Sequence, residues 1–137
     1  MRSGGINWGA VLAAAVAIWA IGFVIYASGL VIQADQWMAM SGISESELEA
    51  VGESRMMFSV VMPLMTAVFL AVLFKWGNVD GLSKGGQWGA VVALASAIPT
   101  LLYGWVYGVG PIEMTLLDSI HLFLGHVAAG AILGAWK

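Results

Sequence analysis

"MTLLDSIHLFLGHVAAGAILGAW", residues 114–136, is a run interrupted by one ionised side chain, Asp118. A bilayer core about 30 Å thick takes roughly 20 helical residues, so this run is long enough to cross one. It is the fourth such segment. Ser3–Ala34, Met56–Phe74 and Gly85–Ile112 contain no Asp, Glu, Lys or Arg at all. In lipid a backbone must satisfy its own hydrogen bonds, so each run is expected to be a helix. The reading is an all-α, four-helix transmembrane bundle forming a single domain over residues 1–137. Its helices are expected at about 6–33, 56–76, 85–108 and 113–136.

The composition supports this. Hydrophobic residues make up 61% of the chain, charged ones 9%, and the mean hydropathy is +0.91. A soluble domain carries about 25% charged residues, so this chain lacks the side chains to cover itself in water. A net charge of −3, dispersed along the sequence, gives no footing for nucleic acid, and the absence of cysteine excludes disulfides and thiolate metal sites. The first run exceeds the roughly 7–15 apolar residues of a signal-peptide core, so it is expected to be retained as a span.

Four spans put both termini on one side, together with the connection between the second and third. That side collects Arg2, Lys75, Lys84 and Lys137, against Arg55 alone on the other. The excess of basic residues predicts cytoplasmic termini in an inner membrane. Trp8, Trp76, Trp88 and Trp136 fall at the expected cytoplasmic ends, and Trp37 and Trp105 near the opposite ones. The longest polar segment, "SGISESELEAVGESR" (41–55), contains Ser44 three residues before Glu47. That spacing is a capping box and predicts a short surface helix over about 45–52, a solvated connector.

"NWGAVLAAAVAI" (7–18) and "QWGAVVALASAI" (87–98) match at eight of twelve positions, which suggests a parallel internal repeat. Taken with "IGFVIYASG", "QWMAMSGISESEL", "GGQWGAVVALASAIPTLLYGWVYG" and "AAGAILGAW", these segments resemble the small bacterial four-helix membrane proteins of domain of unknown function 1761. The likeness covers essentially the whole chain. Ile25-Tyr26-Ala27-Ser28 stand where the family pattern leads one to expect an aromatic and proline-rich turn. The resemblance implies four helices and a membrane location, and no assigned activity.

Intramembrane ionisable residues are the natural place to look for function, because a charge at the bilayer centre costs about 2.5–3.5 kcal/mol to insert. Counting back from Trp136 puts Asp118 within a turn of the outer interface, His121 a turn deeper and His126 near the midplane. Around the helix, His121 lies about 60° to one side of Asp118 and His126 about 80° to the other, so one face cannot present all three. Folding the third and fourth spans as a hairpin about Gly110–Pro111 sets Asp118 level with Tyr103, and His126 with Ala95 and Ser96. Pro99 leaves the Ala95 carbonyl without its usual donor. The expectation is a neutral His126 whose ring bonds the third span near Ala95 or Ser96.

Small residues recur at four-residue spacing, at Gly85 and Gly89, Gly104 and Gly108, Gly130 and Gly134, as close helix contacts or a self-association face would require. No catalytic set, metal site or cofactor site is expected. The function expected first is a non-enzymatic structural or accessory membrane component. Its partners are the lipid bilayer and either a second copy of the chain or a larger membrane complex. The alternative is a small solute or proton-coupled transporter using the polar column on the fourth helix.

Overall fold

The computed structural model describes residues 2–136. Lys137, one of the four basic residues counted above, lies outside them, as do the side chains of Arg2 and Glu53. Among the described residues, four helices are long and apolar enough to cross a membrane: Trp8–Tyr26, Phe58–Trp76, Leu82–Tyr107 and Ile112–Ala135.

The chain opens on a hairpin, β1 (Arg2–Ser3) against β2 (Ile6–Asn7). Gly4 and Gly5 form its two-residue loop with φ of 59° and 78°, a left-handed pair that only glycine adopts without cost. Asn7 then caps α1 (Trp8–Tyr26), its Oδ1 accepting from the Gly9 and Ala10 amides.

The first helix is shorter than its uncharged run. Instead of continuing to about residue 33, α1 ends at Tyr26. The Ser28 hydroxyl donates to the Val24 carbonyl at 2.6 Å, and Gly29 turns away with φ of 72°. Gln33 and Gln36 then cap each other's backbone at the start of α2 (Ala34–Ser41). Ser44 and Glu47 form the expected capping box, with Ser44 donating to Oε2 from its amide at 2.9 Å and from its hydroxyl at 2.6 Å. These bonds, the hydroxyl's first, hold the Glu47 carboxyl below its ordinary pKa. The helix they start, α3 (Glu45–Met56), passes Gly52 and outruns the expected 45–52. A glycine inside a helix costs only about 1 kcal/mol relative to alanine and does not by itself end one.

After α4 (Phe58–Trp76) the third span begins earlier than expected, at Leu82. It runs as α5 (Leu82–Val92), a π-turn (Ala93–Ala97) and α6 (Ile98–Tyr107). The π-turn is closed by the Ile98 amide donating to the Ala93 carbonyl, directly before Pro99. Proline has no N–H and its ring crowds the carbonyl four residues back, and a widened turn relieves that conflict. The two tryptophan segments of the suggested repeat also differ in register. Trp8 is the first residue of α1, whereas Trp88 lies well inside α5.

The last helix, α7 (Ile112–Ala135), is the hub. It packs on α5, on α1 and on α4, while α1 and α4 pack on each other. Ala10, Val11, Ala14, Ile18, Ala67, Leu70, Phe74, Ala129 and Leu133 fill the space between these helices. α6 has no buried residue, and Tyr103, Val106 and Tyr107 lie open on its surface.

Candidate functional site

Two interfaces of α7, with α5 and with α1, carry the candidate residues. The first is made of glycine. A Cβ on Gly85 would stand 3.0 Å from the Gly130 carbonyl carbon and 3.0 Å from Gly134 Cα, and one on Gly89 would stand 2.7 Å from the His126 carbonyl carbon. α5 and α7 therefore touch backbone to backbone, the close approach that small residues permit. The Gly81 amide donates to the Gly134 carbonyl at 2.8 Å where the pair begins. Gly130 and Gly134 are both buried and committed to this contact within the chain. Gly104 and Gly108 are exposed, and a Cβ on Gly104 would meet nothing within 4 Å.

The second interface is polar and joins α7 to α1. Tyr26, the last residue of α1, donates its hydroxyl to Asp118 Oδ1 at 2.5 Å, the short distance expected of an O–H against a carboxylate. The His121 ring lies edge-on to Tyr26, with centroids 5.4 Å apart and planes at 78°. Its Nε2 is 3.4 Å from the Ile18 carbonyl, and a carbonyl only accepts, so that nitrogen carries the proton. The ring fits because Gly22 faces it: a Cβ there would come within 2.9 Å of Nε2. Asp118, His121, Tyr26 and Gly22 are all half-buried. Together they tie one end of α1 to α7.

His126 behaves differently from expectation. It is buried, 8% exposed, but its Nδ1 donates to Leu122 of its own helix at 2.7 Å rather than to the third span. Ala95 and Ser96 lie on exposed surface, and the Ser96 carbonyl accepts from the Thr100 hydroxyl at 2.8 Å. Gly89, six residues before Ala95, is what stands level with His126, so that stretch lies nearer the other end of the helix pair. His126 does meet α5, through its backbone, where Gly89 lets the helix in. Tyr103 is also out of place in the expected column. It is 67% exposed and lies against Tyr107, with centroids 5.4 Å apart and planes tilted by 33°.

The residue that sequence reasoning missed is Tyr26, and the signal was available. Trp8 and Trp136 mark the same end of the bundle. Eighteen residues on from the first is Tyr26, and eighteen back from the second is Asp118. The depth-matching used for the hairpin of spans three and four applies equally to spans one and four, and there it finds the true pair.

With this geometry established, the chain can be set against known protein families. The family described as "Protein of unknown function (DUF1761)" matches residues 9–134. The chain belongs to that family. The matched region runs from the second residue of α1 almost to the end of α7, so DUF1761 takes in both interfaces. No curated protein and no solved structure matches.

Proposed function

We propose that this DUF1761 protein is a non-enzymatic structural or accessory component of the bacterial inner membrane, with both termini in the cytoplasm. It would be held by a larger membrane complex or by a second copy of itself. The observation that carries this reading is the way the ionisable groups are spent. Asp118 takes the Tyr26 hydroxyl, His121 sits over the Ile18 carbonyl, and His126 bonds its own helix. Beneath them the space between α1, α4 and α7 is filled by alanine, valine, leucine, isoleucine and phenylalanine. Such an arrangement braces helices. A conduit needs polar groups that continue through the core. The exposed outer half of the third span, with Gly104 open, gives a partner helix room to approach.

The test is flux and contact together. Proteoliposomes of the wild type should leak protons no faster than empty vesicles, and Asp118→Asn should change nothing. Because the chain has no cysteine, Gly104→Cys gives a single reactive position. It should crosslink to a second chain in membranes, while a cysteine at buried Ala129 should not. Proton flux that disappears with Asp118→Asn would overturn the reading in favour of transport. For orientation, a reporter active only outside the cytoplasm should be silent when fused to Lys137 and active when inserted near Gly52.

A further inference from the structure

At the end of the bundle that carries the hairpin, four separate elements enclose a cavity of about 350 Å³. Its floor is apolar, formed by Ala10, Ala71, Phe74 and Leu133, and its rim carries Asn7, Lys75, Asn78 and Trp136. The volume lies at the low end of the range of small-molecule sites, and the pattern of apolar walls with a few convergent polar groups is theirs too.

The rim is fixed by bonds between distant parts of the chain. Asn7 Nδ2 donates to the Trp136 carbonyl at 3.0 Å, and Lys75 Nζ donates to the Gly4 carbonyl of the hairpin loop at 2.6 Å. The second bond occupies one of the three ammonium donors and sets the charge against a neutral acceptor. Asp80, the acid nearest in sequence, is not among the cavity's walls. Trp76, Trp88 and Trp136 share this end, as side chains at a headgroup level do. A fixed cation therefore stands at the mouth of an apolar hollow, at the depth where lipid headgroups lie.

We propose that the cavity binds the head-proximal part of an anionic phospholipid. The phosphodiester sits at Lys75 and Asn78, and the glycerol and first methylenes lie over the floor. A free phosphate shares the anionic chemistry but has nothing to bond on the apolar floor, so lipid is the favoured source. This assignment does not depend on whether the protein is an accessory component or a transporter.

The test uses the full chain in mild detergent, with lipid retention read by native mass spectrometry. The probes are dioleoylphosphatidylglycerol and dioleoylphosphatidylcholine. Wild type should retain one phosphatidylglycerol in preference to phosphatidylcholine. Lys75→Gln keeps a donor for Gly4 and removes the charge, and should weaken retention about fivefold, the weight of one cation at a membrane surface. Lys75→Arg should restore it. Lys84→Gln removes a charge from the same end but outside the cavity, and should leave retention as in wild type. Millimolar inorganic phosphate should not displace the lipid. Equal retention of both lipids, an effect of Lys84→Gln as large as that of Lys75→Gln, failure of Lys75→Arg to restore binding, or displacement by phosphate alone would each overturn the proposal.

Discussion

Replacing Gly130 by alanine adds one methyl group at the tightest helix crossing in the protein. That methyl would stand 3.1 Å from the Gly85 carbonyl carbon and 3.2 Å from Gly89 Cα, with the Gly85 carbonyl oxygen closer than either. These are backbone atoms and cannot swing aside as the tip of a side chain can, so α5 and α7 must part. Forced shifts of this kind in a packed interior cost about 1–3 kcal/mol. A gap of roughly 1 Å also removes up to half of the dispersion energy of the neighbouring contacts at Gly85, Gly89 and Gly134. Alanine recovers about 1 kcal/mol of helix propensity over glycine. The net expected loss is about 1–2 kcal/mol. Gly104→Ala is the control, because its methyl meets nothing within 4 Å and it should be neutral or slightly stabilising. Unfolding in mixed micelles with rising dodecyl sulfate, followed by circular dichroism, reads both variants. A Gly130→Ala protein as stable as wild type, or a Gly104→Ala protein equally weakened, would refute the reasoning.

Tyr26→Phe should cost about 1.5–3 kcal/mol in the same assay, the range for a hydrogen bond to a charged group. Combined with Asp118→Asn it should lose less than the two separately, and full additivity would deny that the pair interacts. Gly22→Ala should displace the His121 ring, read as a changed imidazole chemical shift, and His121→Ala should relieve its destabilisation. Because the Ser44 bonds lower the folded pKa of Glu47, their stabilisation of α3 is fully present above the unfolded pKa and is lost as pH falls through the folded one. Amide exchange in α3 should therefore quicken in the acid range, and Ser44→Ala should flatten that dependence.

The four long apolar helices were legible because the charge-free runs are long. Hydropathy does not report where a helix stops, which is why α1 was overrun. Ala27 to Ile32 carries no charge, and the turn there is made by a Ser28 hydroxyl and a left-handed Gly29. Of the glycines at four-residue spacing, Gly85, Gly89, Gly130 and Gly134 fall where α5 and α7 touch, whereas Gly104 and Gly108 meet no other helix. The polar set was half legible. Asp118 and His121 stood out as ionisable residues in an apolar run. Tyr26 did not, since tyrosine at a span's end is ordinary, and only the pairing of α1 with α7 gives it a role. The partner chosen for His126 failed because folding the hairpin about Gly110–Pro111 sets the wrong depth: the contacts Gly81–Gly134, Gly85–Gly130 and Gly89–His126 put Gly89, six residues before Ala95, level with His126.

That α7 is the hub has a consequence for biogenesis. It is the last of the four long helices to leave the ribosome. α1 and α4 can pair as soon as both are made, but α5 has its main packing surface on α7. Until residue 112 and its successors are made, Gly85 and Gly89 have no helix to pack on and the Tyr26 hydroxyl has no carboxylate to meet. Before α7 is made the chain is thus a loose pair and a stray helix, and α7 is their fastener. A nascent chain arrested before Ile112 should be recognised by membrane proteases as unfinished, whatever the stability of the completed bundle.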